Sequence, residues 1–335
     1  IGMSRLLTLV LGFLRRSLWL AAISLMLLAL YVSLGRQLVP LVAEYRLEAQ
    51  DKARALLDVP VSIGRLEGRW EGLSPRLLAH DVILGEGDAA MRLDRLAVVP
   101  DVAASILARQ LQLKTLEFAG VHLSLIQDAD GQWRVGGLPA RDDQGPTDLP
   151  AFFAELRTIR YLRLLDSQIT IEAHAESPLT LTYANLQLHS VGERLRLDGR
   201  VLLPDGQPLR LRAQGRVQAE DWQASDAELY LSLPQSDWAG WIPASVTGSW
   251  NLEHLQAGGE VWLDWRARGL ARAVARLNVP AMQAGRTERD PVQIEDLTVN
   301  AYLDRADEGY RFQLDGLDFT FDEKRWRDTS VVLQQ

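Results

Sequence analysis

The sequence has no cysteine in its 335 residues, which excludes a disulfide framework, thiolate-held zinc, iron–sulfur clusters and a cysteine nucleophile. Histidine is scarce as well. His80, His122, His174, His189 and His254 are scattered, and no H-x-x-x-H or H-E-x-x-H pair offers itself to a metal. Lys52, Lys114 and Lys324 are the only lysines, so arginine supplies nearly all of the positive charge. The 36 basic residues fall short of the 44 acidic ones, giving net charge −8, and nucleic acid is therefore not an expected partner. Also missing are the G-x-S-x-G elbow, the G-x-x-x-x-G-K-[ST] loop and the βαβ alternation of a dinucleotide fold. Asp128-Ala129-Asp130-Gly131 begins like a calcium loop, but without a third ligand or a twelfth-position Glu it reads as a hairpin turn. No catalytic residue, metal or cofactor is assigned.

What is present begins with an uncharged run from Ser17 to Leu34. As a helix it rises roughly 27 Å, close to the hydrocarbon thickness of a bilayer. Arg5, Arg15 and Arg16 precede it, Arg36 closes it, and Trp19 and Tyr31 lie near its ends, where amphipathic rings favour the interface. With Leu25 and Leu28 in its middle, this is read as a membrane anchor with a cytoplasmic N-terminus, the remainder lying across the membrane. Ser33-Leu34-Gly35 also fits a signal-peptidase site, but the apolar core is longer than a usual signal sequence. Leu6 to Leu14 is too short to span and is expected to rest at the cytoplasmic face. From Leu38 to Leu57, Leu38, Leu41, Val42, Tyr45, Ala49, Ala53 and Leu56 recur at helical spacing, which predicts an amphipathic helix packed on the following domain, ended by Val59-Pro60.

Beyond Val61 the period is two, so the expected fold class is mainly β. Leu111 and Leu113 alternate with polar neighbours, as do Val121, Leu123 and Leu125, then Leu195, Leu197 and Val201, then Leu209, Leu211 and Val217; the pattern continues to Phe321. Turns are expected at Asp130-Gly131, Asp198-Gly199, Pro204-Asp205-Gly206, Gly258-Gly259 and Asp315-Gly316. Short helical pieces are expected at Val102–Ala108 (or an edge segment there), Leu149–Arg157 and Ser236–Trp241, while Ala271 to Val279 leans to strand. The expected organisation is a tail and anchor over 1–36, the amphipathic helix over 37–60, a first β segment over 61–139, a boundary loop over 140–150 and further β structure over 151–335. Ile1-Gly2 ahead of Met3, and a strand-like pattern still running at Gln335, suggest a piece of a longer protein.

Gly68-Arg69-Trp70-Glu71-Gly72-Leu73-Ser74-Pro75 resembles the AsmA-like superfamily, in particular its YhdP branch. The likeness continues in order through Asp81-Val82-Ile83-Leu84, Leu111-x-Leu113-x-x-Leu116, Gly120-x-x-Leu123-x-Leu125, Asp130-Gly131-Gln132-Trp133-Arg134-Val135, Asp166-Ser167-Gln168-Ile169-Thr170-Ile171 and Asp237-Trp238-Ala239-Gly240-Trp241. The resemblance implies an inner-membrane protein of Gram-negative bacteria, with an elongated antiparallel β-groove in the periplasm that moves phospholipid toward the outer membrane. It brings no catalytic residues. On this reading Leu111, Leu113, Val121, Leu123, Leu125, Leu195, Leu197, Leu209 and Leu211 are lipid-facing candidates. The partners are phospholipid and the inner membrane, with outer-membrane or envelope proteins beyond them.

Alternating strands alone leave the lining question open, because one apolar face serves an open groove or fills a closed sandwich or barrel equally well. Two other functions also stand. A scaffold or assembly factor for outer-membrane proteins would work through exposed strand edges, and a tethered envelope hydrolase would need a convergent polar pocket that the sequence does not display.

Overall fold

A computed structural model describes residues 2–57, 60–85, 90–109, 112–127, 133–135, 159–173, 178–216, 225–242, 247, 250–266, 269–286, 289–306, 309–321 and 323–334. The apolar N-terminal run lies within one continuous helix, α1 (Gly2–Leu38), which passes through Arg15-Arg16 without a break. A tight 3-10 segment follows (Val39–Tyr45), then α2 (Arg46–Leu57). The single amphipathic helix expected over Leu38–Leu57 is thus divided, and Pro40, which has no backbone N–H to give a regular helix, stands at the start of the 3-10 stretch.

After α2 the described strands all belong to one sheet. Its first strands are β1 (Val61–Glu71), β2 (Ser74–Leu84), β3 (Met91–Pro100), β4 (Leu113–Ala119), β5 (His122–Gln127) and β6 (Trp133–Val135). A short helix, α3 (Val102–Ala108), separates β3 from β4; the Asp101 side chain caps it by accepting from the Ala104 N–H at 3.0 Å. The sheet continues through β7 (Tyr161–Glu172), β8 (Leu179–Val191), β9 (Arg194–Leu202), β10 (Pro208–Arg216) and β11 (Asp226–Asp237). It ends with β12 (Asn251–Arg266), β13 (Gly269–Arg286), β14 (Arg289–Ala306), β15 (Gly309–Phe321) and β16 (Lys324–Gln334). Ala271–Val279 is therefore strand, as expected. A 3-10 turn (Ala239–Trp241) follows β11. The expected helix at Leu149–Arg157, the turn at Asp130-Gly131 and the boundary loop at 140–150 lie outside the described residues.

Strand order follows chain order from β1 to β4 and from β7 to β16, and nearly every pair is antiparallel. At the seam β7 runs parallel to both β4 and β5, which lie end to end along it: Thr115 to Ala119 pair with Tyr161 to Leu165, and His122 to Ile126 with Gln168 to Glu172. A parallel neighbour needs a crossover rather than a tight turn, and the long connection between β5 and β7 provides the length for one.

Several expected turns lie inside strands. Asp198-Gly199 is mid-strand in β9, where Asp198 pairs with Arg212 of β10 and Gly199 opposes Leu186 and Leu211. Gly258-Gly259 and Asp315-Gly316 sit within β12 and β15, beside register shifts, with Gly259 at φ +146° and Gly316 at φ +58°. Glycine supplies the same backbone freedom to a bulge as to a turn, so the local signal is the same for both. Pro204-Asp205-Gly206 does form a turn, closed by the Gly206 N–H donating to the Leu203 carbonyl at 2.8 Å.

The sheet is open. Among the described residues β1 does not pair with β16, and no second layer of strands packs on either face. The exposed area is 22884 Å², whereas a compact monomer of this mass would expose about 14,000 Å². Among the described residues there are two buried clusters. One joins Val61, Ile63, Leu66, Ala79, Val82, Leu93 and Val121, with Val42, Ala49 and Ala53 packed upon it, so the 3-10 segment and α2 cover the start of the sheet. Arg46 donates to the Ile63 carbonyl at 2.6 Å, and the Ile63 N–H donates to Gln50 at 3.3 Å, tying that cover to β1. The other cluster holds Leu181, Ala184, Val201 and Leu203 beneath Trp238 and Trp241.

Candidate functional site

Paired residues on adjacent strands point to the same side of a sheet, so register alone traces each face from end to end. One row runs Leu66, Ala79, Leu96, Phe118, Leu164, Leu186, Gly199, Leu211, Leu231, Val261, Ala275, Ala301, Leu314, Val331. Beside it on the same face runs Gly68, Leu77, Val98, Leu116, Leu162, Leu188, Leu197, Ala213, Leu229, Leu263, Ala273, Leu303, Phe312, Leu333. Each row crosses the whole ordered path of strands, and neither contains one polar side chain. At about 4.8 Å per strand the path of fourteen strands extends on the order of 60 Å.

The opposite face carries the charged side chains, although Leu78, Ala97 and Glu117 near its start are buried. A row on that side reads Glu67, Leu78, Ala97, Glu117, Arg163, Gln187, Asp198, Arg212, Tyr230, Trp262 and onward to Gln313. Its charges are paired across strands. Asp198 accepts from Arg196 at 2.8 Å and from Arg212 at 2.9 Å, and these guanidiniums, Arg196 foremost, hold its carboxyl below the usual carboxylate range. Tyr230 donates to Glu260 at 2.7 Å, which raises the phenol pKa. Glu117 is 4% exposed, with Arg76 and Arg95 both at 3.2 Å and Arg163 at 3.9 Å. A hollow of about 820 Å³ along β8 to β10 is lined both by polar residues, Gln187, Asp198 and Arg212 among them, and by Leu186 and Leu211 of the apolar row.

Of the lipid-facing candidates, Leu197 and Leu211 fall in the two apolar rows. Leu195 and Leu209 flank them on the same face, opposite Gly215 and Val201. Leu123 and Leu125 pair with Ile169 and Ile171 of β7, and Leu113 stands opposite Pro100 at a bulge. Val121 is 2% exposed within the cluster beneath α2. Leu111 lies outside the described residues. In the anchor, Trp19, Leu25 and Leu28 are 65%, 68% and 42% exposed, whereas Tyr31 is half-buried against the first hairpin. Much of the later lining, Leu229, Leu231, Val261, Leu263, Ala301, Leu303, Phe312 and Leu314, was visible in the sequence as alternation; register is what joins it to the earlier half.

The two rows consist of apolar side chains and glycine. They can solvate hydrocarbon. Among the described residues, no group of three or more His, Asp or Glu is placed to hold a metal ion.

Residues 3–335 match the family described as YhdP protein. The chain is also similar to the intermembrane phospholipid transporter YhdP of Escherichia coli (strain K12), at 22% identity over 309 residues, covering 91% of this chain and 24% of that protein. It therefore spans about a quarter of that relative's length. No solved structure matches.

Proposed function

The chain belongs to the YhdP family, and on that premise we propose that it forms the membrane-proximal part of a periplasmic conduit that carries phospholipid between the inner and outer membranes. The observation that carries this reading is the pair of unbroken apolar rows on a face that no second sheet covers. Exposing the roughly thirty methylenes of a two-chain lipid to water would cost on the order of 25 kcal/mol at about 0.8 kcal/mol each, so a path without a polar gap is the essential requirement. α1 anchors the conduit in the inner membrane by a single pass, with its N-terminus cytoplasmic and the sheet periplasmic. The acyl chains lie along Leu197, Leu211 and their row neighbours, with Leu113, Leu123, Leu125, Leu195 and Leu209 at the margins, while Val121 holds α2 in place. The protein acts as a carrier surface rather than an enzyme.

The test is photo-crosslinking in cells. A photoreactive amino acid at Leu231 should capture phospholipid, and the same probe at Ser232, next in the chain but on the wet face, should not. Equal capture at both sites, or none at either, would refute the conduit.

A further inference from the structure

We infer that the turn between β1 and β2 is a second membrane contact, inserting Leu73 into the headgroup boundary of the bilayer that α1 crosses, so that the mouth of the apolar face is held against lipid. The inference rests on the reading of α1 as a membrane span. Its evidence is the contact between helix and hairpin. The Tyr31 hydroxyl donates to the Leu73 carbonyl at 2.9 Å, and the Tyr31 ring meets Trp70 edge-on at 5.2 Å between centroids. Gly35 leaves no gap: a Cβ there would stand 2.2 Å from the Trp70 ring. Further along, a Cβ on Gly68 would stand 2.0 Å from the Val39 carbonyl oxygen, so the chain leaving α1 lies directly on β1.

These contacts fix the depth of the turn. Tyr31 lies three residues before Leu34, the end of the uncharged run, which in a helix is about 5 Å of rise. Hydrocarbon of about 30 Å within a bilayer of about 40–45 Å leaves an interfacial layer of similar depth on each side. Because the uncharged run matches the hydrocarbon in length, Tyr31 and the Leu73 backbone bonded to it stand at the inner edge of that layer, and the Leu73 side chain, 57% exposed at the tip of the turn, meets the outermost hydrocarbon. Trp70 and Tyr31 are the residue types that settle there. Glu71, paired with Arg76 at 3.2 Å, is placed among the headgroups.

The absence of cysteine from these 335 residues allows a direct measurement on this chain. Single-cysteine proteins, Leu73→Cys, Glu193→Cys and Leu25→Cys, would carry an environment-sensitive fluorophore in vesicles of phosphatidylethanolamine and phosphatidylglycerol. Glu193 lies in the exposed turn between β8 and β9 and serves as the aqueous control. The Leu73 probe should be quenched by lipids spin-labelled near the headgroup, shielded from aqueous iodide and blue-shifted relative to the Glu193 probe. If the Leu25 probe is buried in lipid while the Leu73 probe is as open to iodide as the Glu193 probe, the inference is overturned and the anchor stands. If the Leu25 probe is itself in water, the anchor reading fails and the inference falls with it.

Discussion

Placing arginine at both Leu197 and Leu211 tests whether the apolar face is a path or a core. Leu197 opposes Leu188 and Ala213, Leu211 opposes Gly199 and Leu231, and the two lie diagonally across β9 and β10. Diagonal neighbours are about 7–8 Å apart, so two guanidiniums in water repel by only about 0.6 kcal/mol and can extend from an open face. In a closed core the same charges would be unpaired and buried, a loss of several kcal/mol each that should remove the protein from the cell. For a passing lipid, losing apolar contact over about five methylenes raises the barrier by about 4 kcal/mol, or on the order of a thousandfold. Reorientation of the side chains relieves part of this, so a fall of at least about tenfold is expected. The assay compares steady-state protein level with delivery of radiolabelled phospholipid to the outer membrane, using the full-length protein in cells deprived of redundant transporters. Normal delivery by a normally accumulating Leu197→Arg, Leu211→Arg protein would refute the conduit here, and disappearance of the protein would refute the open face.

Replacing Glu117 with Ala leaves Arg76, Arg95 and Arg163 facing one another around a vacated site, and should lower stability by about 2–4 kcal/mol in a denaturant titration, with Glu117→Gln intermediate. Gly68→Ala drives a methyl group into the Val39 carbonyl and should lift the 3-10 segment from β1, at a cost of about 1–3 kcal/mol, seen as faster proteolysis between α1 and β1. Burial alone would raise the Asp237 carboxyl, but hydrogen bonds from His254 and from the Ala239 and Leu255 N–H groups outweigh it and hold the pKa below its ordinary value. Its contribution to stability is therefore present above the ordinary carboxylate pKa and lost as pH falls through the depressed one. Tryptophan fluorescence from Trp238 and Trp241 should report loosening of that turn on acidification, a transition that Asp237→Asn should flatten.

Period-two alternation was enough to establish the β class and to pick out β4, β5, β9 to β12, β14 and β15, because a sheet with one polar face writes its geometry directly into the sequence. The identity of the wet face was legible for the same reason: Arg196, Asp198 and Arg212 alternate with Leu197 and Leu211. What local pattern could not reveal was pairing. The parallel seam at β4, β5 and β7 depends on a partner far along the chain, and only register shows that the apolar positions of all fourteen ordered strands fall into continuous rows. Bulges were misread as turns at Gly259 and Gly316 because both devices call on the same backbone freedom. Glu117 alternates like a solvated residue, yet it is enclosed by three arginines drawn from β2, β3 and β7.

The strict succession of neighbours from β7 to β16 has an energetic corollary. Among the described residues each of these strands pairs only with those before and after it, so stability is largely a sum of hairpin terms and nearest-neighbour terms, as in repeat proteins. Such a sheet can zip up strand by strand, each new hairpin adding to an edge already formed. Damage should also stay local: a lesion in β14 would fray its neighbours while leaving the start of the sheet and its junction with α1 folded.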